Sequence, residues 1–203
     1  MSNVDVANSQ SSSLKEVFLH DFWGTPLNAS GSHGSYRPIV TLSFRWTAQL
    51  VGLNQAYWYH FANVLLHCLN TATVTLIAGR LTGRNDGIAR YTSGLLFASH
   101  PIHCEAVTGI VGRADLICSF FFLAGLFIYA DYISNGRRSS GSLAATLLFV
   151  LGAFLAKEYG IMLPIACLLY DLAINGSFLV KVGNRRRRNT TLMEVGLVKM
   201  IDK

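Results

Sequence analysis

The feature that most limits what this chain can become is the stretch Leu116 to Ile133. It packs Phe120, Phe121, Phe122, Leu123, Leu126 and Phe127 into 18 residues with Asp131 as its single charge. A bilayer crossing needs about 20 apolar residues in helical form, and this stretch is close to that length. Four further segments have the same character. Tyr57 to Ala78 opens on an aromatic cluster of the kind that sits at membrane interfaces, Tyr57, Trp58 and Tyr59. A shorter one starts near Ile88, runs through Leu95, Leu96 and Phe97, and meets Pro101. The last two run from about Leu143 to Ala156 and from about Gly160 to Ile174, separated by Lys157, Glu158 and Tyr159. Charged residues make up 14% of the 203 and mean hydropathy is +0.37, whereas a water-soluble domain carries about 25% charge. The expected fold is therefore all-α, a polytopic membrane helical bundle of about five spans. Ile39 to Leu53 is also apolar, but Arg45 and Gln49 interrupt it, which suits an amphipathic helix at the interface better than a sixth crossing.

Charge orders these segments. Arg80, Arg84 and Arg90 lie between the first two spans, Arg137 and Arg138 follow the third, and Arg185 to Arg188 follow the fifth. If the spans alternate, all three groups fall on one side, and the positive-inside rule makes that side cytoplasmic. The division expected is 1–56 as a lumenal N-terminal segment with an interfacial helix, 57–175 as the bundle, and 176–203 as a basic cytoplasmic tail. The arginine run then reads as a topology anchor facing membrane lipid, with no nucleic-acid partner. The sequon at Asn28 falls on the lumenal side, those at Asn175 and Asn189 on the other. Met1 to Ser13 lacks the basic and apolar regions of a cleavable signal, so the first span is expected to serve as the targeting signal. Cys68, Cys104, Cys118 and Cys167 match neither a zinc pattern nor a small disulfide framework.

Four polar clusters interrupt this background. His20-Asp21-Phe22-Trp23-Gly24 and Ser35-Tyr36-Arg37-Pro38 could hold a sugar by hydrogen bonds and stacking, or could be an interfacial loop pinned by its aromatic rings. His60, Asn63, His67 and Asn70 are spaced three, four and three apart, on one face of the first span. Interhelical hydrogen bonding is the plainer reading of that stripe, a polar cavity the other. His100, His103, Glu105, Arg113 and Asp115 gather within 16 residues. There Arg113 could hold a phosphate and Glu105 could serve as a base. An ion-paired loop is the alternative. Lys157 and Glu158 are expected on the same side and could join the same cavity.

The ordered segments HDFWGTPL, SYRPIVTLSFR, YHFANVLLH, LLFASHPIHCEAVTGIVGRADL and KEYGIMLPIACLLYD, from His20 to Asp171, resemble the TMTC family, the transmembrane and tetratricopeptide-repeat O-mannosyltransferases of the endoplasmic reticulum. The resemblance implies a partial GT-C-like, multi-pass membrane glycosyltransferase. Such an enzyme moves mannose from dolichyl-phosphate mannose to Ser or Thr of lumenal proteins, cadherins among them. It implies an inverting displacement needing a carboxylate and phosphate-binding cations. On this chain the candidates are Glu105 and Asp21 as catalytic carboxylates, with Arg113, Arg37, His100 and His103 against the phosphate. Asp115, His60, His67, Lys157 and Glu158 could extend the cavity. No cofactor is expected beyond the lipid-linked donor. The family's opening span, its paired-acid loop and its repeat array have no counterpart in these residues, so a member shortened at both ends is expected. The competing readings are a non-catalytic membrane adaptor of the endoplasmic reticulum and a small transporter. No inverted repeat is evident in the five segments, which counts against transport.

Overall fold

The computed structural model describes residues 3–8, 13–82, 87–134 and 139–174. The arginine run, the 176–203 tail, the sequons at Asn175 and Asn189, and Arg84, Arg137 and Arg138 lie outside them. Among the described residues the secondary structure is helical, apart from one isolated bridge between His20 and Pro26. The chain divides into two compact units, Met1–Pro164 and Ile165–Lys203. In the second, residues 165–174 are helical.

The first unit runs α1 (Val4–Ala7), a 3-10 turn (Glu16–Phe18), α2 (Pro38–Val51), α3 (Ala56–Leu81), α4 (Gly87–Ser99), α5 (His103–Thr108), α6 (Arg113–Ser134), α7 (Ser140–Ala156) and a second 3-10 turn (Glu158–Met162). Each of the five apolar segments contains helix, yet their lengths differ. Two are long and apolar enough to cross a membrane, Ala56–Leu81 and Arg113–Ile133. Only 11% and 28% of their apolar windows are buried inside the protein, the opposite of the core helix of a soluble domain. The 17 residues of α7 and the 13 of α4 fall short. At about 1.5 Å per residue α4 reaches roughly 20 Å, against a hydrocarbon layer of roughly 30 Å.

Local chemistry accounts for the boundaries. Pro38 occupies the first turn of α2, where its missing N–H costs no hydrogen bond, and Gly52 with φ 88° closes that helix. The Ser139 side chain accepts from the Gly141 N–H at the start of α7. Helices α6 and α7 approach at Gly152, where an added Cβ would lie 2.6 Å from the Phe121 ring. That absent side chain lets Phe121 settle against Phe149, ring centroids 5.7 Å apart.

The core gathers at one end of the helices. Val6, Phe22, Val40, Phe44, Ala48, Tyr59, Ala114, Ile117, Cys118, Ala153 and Ala156 form one cluster. Helix α2 is amphipathic, as expected, with Val40, Phe44 and Ala48 turned inward and Trp46 and Leu50 outward. The candidate site lies beside this cluster.

Candidate functional site

The site begins with a turn that only glycine permits. Between α5 and α6 a Cβ on Gly112 would sit 2.4 Å from the Ala106 carbonyl oxygen, so the chain folds back tightly and sets Arg113 and Asp115 into the first turn of α6. Arg113 points inward and is 1% exposed. Its Nε donates to Asn63 Oδ1 (3.0 Å), Nη1 to Thr47 Oγ1 (3.0 Å), and Nη2 to the Tyr59 carbonyl (2.9 Å). Its Cζ lies 4.4 Å from the centroid of Phe44. The guanidinium thus ties α2, α3 and α6 together and faces protein groups in place of a cavity. Asn63 completes the tie by donating to the Gly109 carbonyl (3.0 Å), and Asn70 donates to the Leu116 carbonyl (3.0 Å). These two asparagines do the interhelical work expected of the stripe. His67 bonds the Ala98 carbonyl of α4 (3.2 Å), while His60 is exposed.

Asp115 points the other way. Its Oδ1 accepts from Lys157 Nζ at 2.5 Å, so 42 residues of sequence separation close into one ion pair. Next to it Arg37 grips Glu158 with Nη2 at 3.2 and 3.1 Å from the two carboxylate oxygens. Burial works to raise the Glu158 pKa, but its own backbone N–H, Arg37 and Lys157 outweigh it and hold the carboxyl below its ordinary range. Glu105 is exposed and its carboxylate makes no hydrogen bond or ion pair among the described residues. A cleft of about 370 Å³ has Arg37, Glu105, Asp115 and Lys157 on its walls.

Behind the Asp115–Lys157 pair lies a second hollow of about 500 Å³, lined mainly by apolar groups, Phe97, Leu116, Phe122, Leu123 and Met162 among them. Ala106, Asp115 and Lys157 line both, so a charged cleft and an apolar groove share one wall. His67 and His103 border the groove with ring centroids 5.1 Å apart. Burial, then the neighbouring His67 and His100, push the His103 pKa down. Two buried acceptors on the α3 wall, Asn70 Oδ1 and His67 Nδ1, have no hydrogen-bond partner among the described residues. His100 is exposed, and its Nδ1 accepts from the Ile102 N–H at 3.2 Å. Among the described residues no group of three or more His, Cys, Asp or Glu is placed to hold a metal ion, and all four cysteines are free.

Asp21 stands apart. It is 2% exposed and accepts from the N–H groups of Trp23 (2.9 Å), Thr25 (3.0 Å) and His33 (3.0 Å) and from the Ser32 hydroxyl (2.9 Å). Burial works to raise its pKa, and these four donors together bring it below the ordinary 3.8. The carboxylate organises the loop around it. One pair escaped the sequence reading, Asp5 and His20, whose Nδ1 lies 2.9 and 3.0 Å from the two Asp5 oxygens. They stand 15 positions apart in the sequence, and no spacing rule connects such positions.

Comparison with known proteins supplies relatives over most of the chain. It is 45% identical over 161 residues to protein O-mannosyl-transferase TMTC2 of Mus musculus, covering 78% of this chain and 19% of that protein. It is 42% identical over 172 residues to protein O-mannosyl-transferase Tmtc1 of Drosophila melanogaster, 85% of this chain and 19% of the relative. Protein O-mannosyl-transferase TMTC3 of Homo sapiens is 38% identical over 167 residues, 81% and 18%. The chain thus spans about a fifth of the length of these relatives. No family model matches it, and no solved structure does.

Proposed function

As this chain belongs, over the segment it shares with them, to the TMTC family of protein O-mannosyl-transferases, we propose that it holds a lipid-linked mannosyl phosphate at the wall between cleft and groove and takes part in mannosyl transfer to protein Ser and Thr. The observation that carries this reading is the sharing of Asp115 and Lys157 by a polar cleft and an apolar groove. A dolichyl phosphate sugar has the same division, a charged head on a hydrocarbon tail. The tail lies along Phe97, Leu123 and Met162 in the groove. The phosphate meets Lys157, which has two N–H donors beyond its bond to Asp115, and Arg37, whose Nη1 is free of Glu158. Mannose hydroxyls can donate to Asn70 Oδ1 and His67 Nδ1.

In this reading Glu105 takes the proton of the acceptor hydroxyl as its oxygen attacks the anomeric carbon. The bond from that carbon to the phosphate oxygen breaks, and dolichyl phosphate leaves with the electron pair. A carboxylate without partners at the cleft can accept a proton, whereas Asp21 is saturated. Arg113 positions the turn that presents Asp115, and His103 borders the groove. The setting is the membrane of the endoplasmic reticulum, with lumenal acceptors such as cadherins.

The test separates binding from transfer. The full 203-residue chain is purified and titrated with dolichyl-phosphate mannose, then expressed in cells lacking the endogenous enzymes with a cadherin acceptor. Lys157→Ala is expected to weaken donor binding about tenfold, the worth of one charge-assisted hydrogen bond. Glu105→Gln is expected to leave binding unchanged and to lower O-mannose at least about a hundredfold. No donor binding by the unmutated chain would overturn the proposal, and binding without transfer would leave a donor-binding adaptor.

A further inference from the structure

We propose that the end of the bundle remote from this cleft carries a separate anion site that takes the phosphate of an acidic lipid headgroup. Helices α3 and α6, the two of membrane-crossing length, meet the first turn of α4 there. A hollow of about 340 Å³ is lined by Leu76, Gly79 and Arg80 of α3, Arg90 of α4 and Phe127 of α6. Asp115, at the proposed donor site, and Asp131 are 16 positions apart along α6. At about 1.5 Å each that is roughly 24 Å along the helix axis, so the two hollows sit near opposite membrane faces.

The two arginines are held differently. The Arg80 guanidinium lies 5.0 Å from the Phe127 centroid and pairs with Asp131, so its charge is offset. Arg90 has no acidic partner among the described residues. Its stem runs across α3 at Gly79, where a Cβ would come within 3.0 Å of Arg90 Cδ, and its Cζ lies 5.6 Å from the Tyr91 centroid. Its Nε is buried and makes no hydrogen bond among the described residues. A buried donor on a cation is costly while it stays unmet, and among the described residues two guanidiniums face one carboxylate, which leaves the hollow net positive.

The ligand chemistry follows. A guanidinium presents a planar fork of donors that matches two oxygens of one phosphate. A lipid phosphate also lies at the depth where spanning helices end, and basic pockets between such helices suit acidic headgroups. An alkyl chain beside the headgroup has Leu76 and Phe127 to contact. Free phosphate shares the chemistry of the head and lacks the chain.

The experiment uses the full chain in phosphatidylcholine nanodiscs, equilibrated with phosphatidylcholine vesicles containing a minor fraction of phosphatidylinositol. Phosphatidylinositol retained per chain is counted by mass spectrometry, and melting in phosphatidylcholine alone checks folding. Retention above the doped fraction is expected, falling about tenfold in Arg90→Gln. If that variant does not fold, Arg90→Lys, which keeps the charge and loses the fork, is expected to lose part of the retention. Retention that persists in excess inorganic phosphate supports the lipid source. Displacement by inorganic phosphate would assign the site to the free anion and overturn the lipid assignment. Equal retention by a folded Arg90→Gln, or none by the parent chain, would overturn the site.

Discussion

The loop from His20 to Pro38 and the segment from His100 to Asp115 carry the same kinds of side chain, yet one is closed on itself and the other is open. In the first, Asp21 receives four hydrogen bonds from its own loop and is sealed from solvent. In the second, Glu105 is exposed with no partner for its carboxylate among the described residues, and Asp115 is shared with Lys157 at the edge of two hollows. The contrast recurs within a single helical turn, where Arg113 is consumed by the interior and Asp115 faces the cleft. A polar residue in an apolar chain is a promising site residue only where its hydrogen-bonding capacity is left over. One that is saturated is architecture.

Three substitutions would break or sharpen that comparison. The largest effect is expected at Arg113. Arg113→Leu removes a cation that ties α6 to α2 and α3 and leaves Asn63 Oδ1 buried without its guanidinium donor, at a cost of about 3 kcal/mol or more. Thermal unfolding in detergent reads it, and a shift of only a degree or two would show the network to be dispensable. Asp21→Asn comes next, at about 1–3 kcal/mol, since an amide cannot accept from all four donors. The same measurement against pH gives the sign. The folded carboxyl titrates below the ordinary 3.8, so its stabilisation is present above that pH and is lost as the pH falls through the folded value. Asp21→Asn should flatten that acid limb, and an unchanged limb would mean that another carboxylate sets it.

The smallest effect belongs to the open side. The His103 pKa is lowered from 6.5, so the folded state resists taking up its proton. Stability is retained above 6.5 and is lost as the pH falls below it. His103→Asn should remove a shallow slope between neutral and mildly acid pH in the melting temperature. A slope that survives the substitution would mean that another group sets it.

Much of this was legible in the chain itself. The run from Leu116 to Ile133, the aromatic start at Tyr57 and the break at Pro101 mark helices that the structure contains, because apolar length and proline act locally. Helical periodicity put His60, Asn63, His67 and Asn70 on one face, and the plainer of its two readings, interhelical hydrogen bonding, is what Asn63 and Asn70 make. The match to HDFWG and SHPIHCEAVTGIVGRAD pointed to the family that the relatives carry in their names. Crossing length was less legible, since apolar composition does not say where a helix ends. The segment beginning near Ile88 yields a 13-residue helix, and α7 stops at 17 residues where Lys157 turns the chain.

Sequence by itself determined that the chain is helical and apolar and that its polar groups come in a few dense clusters, since these are properties of neighbours along the chain. Which of those groups have work left to do was decided only by the tertiary structure. Asp21 and Glu105 are chemically alike, and Arg37 and Arg113 are the same residue. What separates them is the number of donors and acceptors that folding brings close, from the same loop for Asp21 and from other helices for Arg113. Lys157 reaches Asp115 across 42 positions, and Arg37 reaches Glu158 across 121. No local pattern encodes a meeting over that separation, because it follows from how the helices pack and not from the order in which they are written.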